Sequence, residues 1–187
     1  MFEYTYMPPC DIDLAPWIFK SELELEVSID DCWGIITDDR AWQHWNPEVT
    51  NIQNVREPAG GTGSSRTIVF RHWFFMALLA GPTAIREEFD LWEADDGKMK
   101  RYQFWLAAAS RPTFLTYKGG REEFKVEAVS ATRCKFTRTV ALAPAFLTRY
   151  ALGWLVYPVL RRLFTVQCPQ RLADAVAKKL LPIVENE

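Results

Sequence analysis

The stretch Ser21-Glu-Leu-Glu-Leu-Glu-Val27 alternates glutamate with an apolar residue, and Ser28-Ile-Asp-Asp-Cys-Trp33 follows it directly. Strict alternation is typical of a strand with one face on a core and one in water, so it predicts a half-buried antiparallel strand over residues 21–27. Ser28 or Asp30 can cap a helix from Asp31 to about Thr37, because a side-chain oxygen there accepts hydrogen bonds from a first helical turn. The chain is therefore expected to pass from a strand straight into a short helix.

A second short helix is predicted from Arg40 to Trp45, because the residue before Pro47 avoids helical backbone. Glycine-rich residues 58–65 indicate a hairpin loop, and Asp95-Asp96-Gly97 indicates a hairpin turn. Further strands are expected over residues 51–56, 66–75, 84–93, 99–107, 113–117 with 122–128, and 133–142.

The pattern becomes helical after Pro144. Apolar residues then recur every four positions, at Leu172, Val176, Leu180 and Val184. We expect a long helix that starts near Pro158 and kinks or breaks near Pro169. The predicted class is α+β, with about seven antiparallel strands in a single domain over residues 21–187 and an irregular, proline-containing extension over residues 1–20.

Charge is unevenly distributed although the net charge is only −2. Residues 1–60 carry 12 acidic and 3 basic groups, whereas residues 128–180 carry nine basic groups and one acid, Asp174. The small net charge argues against a general nucleic-acid binder. The basic C-terminal third leaves an anionic surface as a conceivable partner.

Cysteine and histidine usage indicates neither a disulfide framework nor a metal site. Cys10, Cys32, Cys134 and Cys168 share no short spacing, and the two histidines have no Cys or carboxylate at ligand spacing. The N-terminus has acids where a signal peptide needs positive charge. We therefore expect a cytoplasmic protein with free thiols, without a metal or other cofactor.

Three segments carry a family resemblance: residues 27–33, residues 37–49 with Trp45-Asn46-Pro47, and Gly60-Gly-Thr-Gly63. They resemble the START-like superfamily, also called SRPBCC, in its polyketide cyclase/dehydrase and lipid-transport branch. The resemblance extends from about Leu23 to Val184. It implies a helix-grip fold, in which a curved sheet wraps around a long C-terminal helix and a hydrophobic ligand lies between them. It implies no catalytic residue.

The chain is rich in aromatic residues, with 12 Phe, 8 Trp and 6 Tyr. Strand parity places several of them on the side of the expected cavity, and the alternative is that they fill a core. The candidate lining residues on strands and on the terminal helix are Phe70, His72, Phe74, Phe89, Tyr102, Phe104, Phe136, Leu172 and Val176.

Two charged residues fall on apolar strand faces, Glu87 and Arg138. They could pair with each other, Arg138 could anchor a carboxylate or phosphate of the ligand, or both could be solvated near the cavity mouth. His72 is the candidate general acid or base, since imidazole titrates near neutrality, and the alternative is a hydrogen-bonded wall residue. The catalytic residues are thus unknown, and the candidates are His72, Arg138 and Glu87.

Residues 139–160 contain a single charge, Arg149. Prolines and the last strand argue against a membrane span, so we expect an apolar lid over residues 150–157, with Trp154 controlling access to the ligand. Arg161, Arg162 and Arg171 follow, which would allow transient contact with an anionic membrane. A face for a homodimer or another protein is the alternative.

The predicted function is binding of a hydrophobic or amphipathic small molecule, such as a lipid or a polyketide. The alternative is a cyclase/aromatase-type enzyme that uses the same cavity, and a third is an assembly partner. The sequence leaves open whether any reaction is catalysed.

Overall fold

The computed structural model describes residues 4–46, 49–56, 60–70, 83–94, 97–110 and 117–178. An antiparallel sheet is its main element, and helices cover one face. The strands are β1 (Tyr4–Tyr6), β2 (Trp17–Leu25), β3 (Val49–Arg56), β4 (Ser65–Phe70), β5 (Thr83–Glu93), β6 (Met99–Ser110), β7 (Tyr117–Ser130) and β8 (Arg133–Pro144). The helices are α1 (Ile29–Thr37), α2 (Asp39–Trp45), α3 (Phe146–Tyr150), α4 (Gly153–Arg162) and α5 (Cys168–Ala177), with a π-helical turn (Leu163–Gln167) between the last two.

The strand order is β2-β8-β7-β6-β5-β4-β3, in an open sheet. All neighbours pair antiparallel, and from β3 onward each strand lies beside the next in sequence. The chain crosses from one edge of the sheet to the other between β2 and β3, because β2 pairs with β8 at one edge and β3 forms the other. The helices α1 and α2 connect these two edges. The predicted α+β architecture of about seven strands with two short helices after the first long strand is confirmed.

The caps of α1 and α2 are side chains that precede each helix. The Asp31 N–H donates to Ser28 Oγ at 3.1 Å, and the Ser28 hydroxyl donates to Asp31 Oδ2 at 2.7 Å. The Arg40 N–H donates to Asp38 Oδ1 at 2.8 Å and so begins α2. Ser28 is thus the N-cap, one of the two predicted residues, and α1 starts at Ile29, two residues earlier than expected.

The N-terminal twenty residues contain two segments of strand, which corrects their description as irregular. The strand β2 begins at Trp17, four residues before the predicted start, because Trp17 and Phe19 continue the inward apolar positions. The strand β1 pairs with residues 108–110 of β6, at the end of β6 that β7 does not reach. The prolines therefore separate strand segments without preventing them.

The C-terminal helical segment starts earlier than Pro158, the predicted start. The helix α4 begins at Gly153 and contains Pro158. Interruption near Pro169 is found as expected: the Cys168 N–H bonds the Leu163 carbonyl in the π-helical turn. A proline cannot donate to a helical carbonyl, so a wider turn before Pro169 accommodates the missing bond.

In the part of the chain that the structure describes, two apolar clusters lie between the sheet and the helices. The larger one, here the aromatic core, joins the sheet to α1, α2 and α5 and contains Trp33, Trp42, Trp45, Phe124 and Leu172 among others. The smaller one, here the second cluster, joins β2 and β8 to α4 and consists of Trp17, Phe19, Val140, Leu142 and Leu160.

Candidate functional site

Most of the predicted lining residues belong to the aromatic core. Tyr102 stacks on Phe124 with ring centroids 4.7 Å apart, and Phe89 contacts Phe104 edge to face at 5.4 Å. Their rings contact other rings on several sides. The residues predicted for the cavity that the structure places in this core or against it are Phe70, Phe89, Tyr102, Phe104, Phe136, Leu172 and Val176. The space between the sheet and α1, α2 and α5 is therefore filled by side chains.

Three more of the predicted ligand-binding residues are Trp154, His72 and Phe74, of which the structure describes Trp154. Trp154 lies on the outer face of α4 with 77% of its surface exposed. Its role in controlling access to the ligand stays a prediction. His72 and Phe74 lie outside the described residues, and their roles stay predictions.

Among the described residues, four charged ones lie buried on the helix-covered face of the sheet, each at most 9% exposed. Arg66 Nε donates to Glu87 Oε2 at 2.8 Å, and Arg138 Nε donates to Glu122 Oε1. Glu87 and Arg138 therefore do not pair with each other, and neither lies in bulk water. We call Arg66, Glu87, Glu122 and Arg138 the ionic belt.

The pairs follow from strand register. Arg66 of β4 is directly opposite Glu87 of β5. Glu122 of β7 is diagonal to Arg138 of β8, two residues from the position directly opposite. Facing residues on adjacent strands are close enough for their side chains to interact. The belt thus crosses the sheet from β4 to β8.

Aromatic rings support both arginines. The Arg66 guanidinium lies 4.1 Å from the ring centroid of Trp42 and also donates to Asp39 Oδ1 at 2.7 Å. The Arg138 guanidinium lies 5.3 Å from the Phe124 ring and 5.1 Å from the Phe164 ring. A buried charge needs such compensation, since desolvation alone is costly.

Several buried donors have no hydrogen-bond partner among the described residues. They include Arg138 Nη1 and two groups beside it: the Ser21 hydroxyl, directly opposite Arg138 on β2, and Trp45 Nε1, whose ring lies 5.8 Å from the guanidinium. By contrast, the Trp42 indole donates to the Ile36 carbonyl at 2.7 Å. Buried polar groups are nearly always paired, so an unpaired group marks a place where a hydrogen-bond acceptor would fit.

Glu87 has the properties of an internal acid or base. Burial raises the pKa of Glu87 to about 7, against the lowering effect of Arg66, and the Glu122 charge adds to the rise. Burial likewise raises the pKa of Tyr102, which donates to the Ile36 carbonyl at 3.0 Å. A carboxyl group that titrates near neutral pH can give or take a proton under physiological conditions.

Sequence reasoning identified Glu87 and Arg138 but missed Arg66 and Glu122. The signal was present, because Arg66 shares strand parity with Ile68, and Glu122 shares it with Phe124. Each of the two charges noticed in the sequence thus has its partner on a neighbouring strand.

A cavity of about 230 Å³ lies elsewhere, beside the N-terminal segment, and its lining includes Pro8, Cys10, Leu14, Gly119 and Ala143. It is smaller than the roughly 300–1,000 Å³ usual for small-molecule sites. Among the described residues there is no cluster of three His, Cys, Asp or Glu that could hold a metal ion. In the same part of the chain, no helix is long and apolar enough to span a membrane.

Known proteins resemble this chain along most of its length. The family described as "Polyketide cyclase / dehydrase and lipid transport" matches residues 16–178. An uncharacterised protein of Mycobacterium tuberculosis is 24% identical over 152 residues, 78% of this chain and 81% of that protein.

Solved structures share the fold at low identity. A START superfamily protein from Mycobacterium smegmatis superposes with a TM-score of 0.61 at 12% identity, over 86% of this chain and 97% of that one. The Zhui aromatase/cyclase from Streptomyces sp. R1128 superposes with a TM-score of 0.59 at 11% identity, over 88% of this chain and 95% of that one. The START-like helix-grip fold predicted from the sequence is confirmed.

Proposed function

We propose that this chain, which belongs to the polyketide cyclase / dehydrase and lipid transport family, binds a hydrophobic or amphipathic small molecule between its sheet and C-terminal helices. The observation that supports this proposal is the ionic belt with its unpaired donors around Arg138. A carboxylate or another oxygen acceptor of the ligand would bind there. Leaving a buried donor without a hydrogen bond costs about 1–3 kcal/mol, and an acceptor group of the ligand would recover this free energy.

The apolar part of the ligand would extend toward α4. The side chains that surround the second cluster there are only half-buried, unlike the rings of the aromatic core. They are Leu106, Tyr117, Val156, Tyr157 and Phe164. Phe164 contacts both the Arg138 guanidinium and Phe19, so it connects the belt with this apolar region.

The test compares two ligands that differ only in the head group, cis-parinaric acid and its methyl ester, by fluorescence titration. A charge-assisted hydrogen bond contributes about 1.5–3 kcal/mol, so the acid is expected to bind at least about tenfold more tightly. The double variant Glu122→Gln/Arg138→Gln should lose this preference. Replacing both members of the pair leaves no single charge stranded in the interior.

The matched control is Glu93→Gln/Arg101→Gln, which removes an exposed ion pair on β5 and β6 at 2.6 Å. It should keep the preference for the acid. Equal binding of acid and ester by the unmodified protein, binding of neither, or a preference that survives in the belt variant would each refute the proposal.

A second candidate is a cyclase/aromatase-type reaction in the same interior, which the raised pKa of Glu87 favours. Glu87 would then transfer a proton to or from a polyketide carbonyl chain. Turnover of a polyketide mimic should depend on a group titrating near pH 7, and Glu87→Gln should abolish both the turnover and that dependence. Turnover that persists in this variant excludes Glu87 as the acid or base.

We also propose a cytoplasmic location, because the structure has four free cysteines and three of them are buried packing residues, Cys32, Cys134 and Cys168. Recovery of the native protein from a periplasmic or secreted fraction would contradict it.

A further inference from the structure

A broad apolar surface is formed by α3, by the outer face of α4, by Leu152 between these helices and by one residue of the π-helical turn. Its large side chains are between 42% and 77% exposed. We call it the α3–α4 surface. It consists of Phe146, Leu147, Tyr150, Leu152, Trp154, Leu155, Val159 and Val166.

The segment is held in place by its opposite face. Tyr157 contacts Trp17 at 5.6 Å and Phe19 at 5.1 Å between ring centroids, and Leu160 is buried in the second cluster. In α3, Thr148 is the one buried residue. The outward residues are therefore exposed because the inward positions, three or four residues apart, are already used for packing.

Positive charge surrounds this surface. Arg149, Arg161 and Arg162 are exposed, and none forms an ion pair with an acidic residue of the described chain. The sequence has no Asp or Glu between residues 128 and 173. Several cations elsewhere, Lys20, Arg101 and Lys135 among them, do form such pairs.

We propose that the α3–α4 surface docks on an anionic lipid membrane. Its aromatic and aliphatic side chains insert at the boundary of head groups and acyl chains, and the three arginines contact lipid phosphates. A second copy of this chain fits less well. A two-fold symmetric contact would bring the unpaired arginines of both copies together without an acidic residue to neutralise them.

The test is co-flotation of the full chain with phosphatidylcholine–phosphatidylserine vesicles, compared with pure phosphatidylcholine vesicles, at low and high salt. Binding is expected to the anionic vesicles at low salt and to weaken as salt rises. Arg161→Gln should weaken it about fivefold, the equivalent of one basic group near the surface. Trp154→Ala should weaken it at least about tenfold through lost apolar burial.

Matched controls change the same residue types away from this surface. Arg133→Gln removes an exposed arginine at the start of β8, and Tyr6→Ala removes an aromatic ring of β1 that is 71% exposed. Both should bind vesicles like the unmodified protein. Circular dichroism of every variant checks that the fold is retained.

Three results would overturn the proposal. They are failure to float with anionic vesicles at low salt, unchanged flotation of Trp154→Ala, and a dimer in light scattering that does not bind vesicles and separates in Trp154→Asp. The last result would assign the surface to a second copy. Flotation is measured without an added ligand, so a failure here leaves the ligand-binding proposal standing, and the reverse also holds.

Discussion

Replacement of Glu87 by Gln tests the electrostatics of the ionic belt through the pH dependence of stability. Glu87 is 3% exposed and accepts a hydrogen bond from Arg66. Glutamine has nearly the same shape and can still accept this bond, but it cannot ionise. The substitution therefore removes a titrating group while leaving the packing of β4 against β5 in place.

The expected magnitude follows from the pKa of Glu87, which burial raises from 4.5 to about 7. The folded protein then holds this proton more tightly than the unfolded chain does. The contribution of Glu87 to the free energy of unfolding is thus greatest below pH 4.5. This contribution falls by about 3 kcal/mol in total as pH rises toward 7, and it is constant above pH 7.

The assay is urea denaturation of the unmodified protein and Glu87→Gln at pH 5 and pH 8. From pH 5 to pH 8, the free energy of unfolding of the variant should rise by about 2–3 kcal/mol relative to that of the unmodified protein, because the variant lacks the group that is costly to ionise. A stability difference that is the same at both pH values would refute the electrostatic account of Glu87.

Three further substitutions test the packing and the caps. Arg66→Met should destabilise the fold by about 3–5 kcal/mol, because it leaves the buried Glu87 without its partner, and adding Glu87→Leu should restore much of the lost stability. If urea denaturation shows that the double variant is no more stable than Arg66→Met alone, Arg66 and Glu87 do not act as a pair. Gly120→Ala should lower the free energy of unfolding by about 1–3 kcal/mol, because the added Cβ would lie 2.6 Å from Leu106 Cδ1. Gly97→Ala is the control and should be nearly neutral in the same assay, because nothing lies within 4 Å of its added Cβ. Ser28→Ala should lower the melting temperature through loss of the α1 cap, worth about 1 kcal/mol, and an unchanged melting temperature would contradict the observed cap.

Local sequence signals were sufficient to predict most of the strands and helices of the fold. Alternation located β2, side-chain caps located α1 and α2, and turn residues separated the strands. The strand β1 could not be found this way, because its three residues are ordered by pairing with residues 108–110, more than a hundred positions away. No local pattern carries that information.

The candidate site was only partly predictable, for the same reason. Parity indicated that Glu87 and Arg138 lie inside, but their partners depend on which residues face each other across strands. The start of α4 at Gly153 and its orientation could not be predicted, because a helix with apolar residues on both faces is oriented by tertiary packing. The contacts of Tyr157 with Trp17 and Phe19 settle that orientation.

A crystal structure of the protein grown with oleate tests directly whether a ligand acceptor group binds at Arg138. We expect the carboxylate within hydrogen-bond distance of Arg138 Nη1, and the acyl chain between the sheet and α4 among Val156, Tyr157 and Phe164. A carboxylate in bulk solvent, or an acyl chain bound in the N-terminal cavity beside Pro8 and Leu14, would refute binding at Arg138.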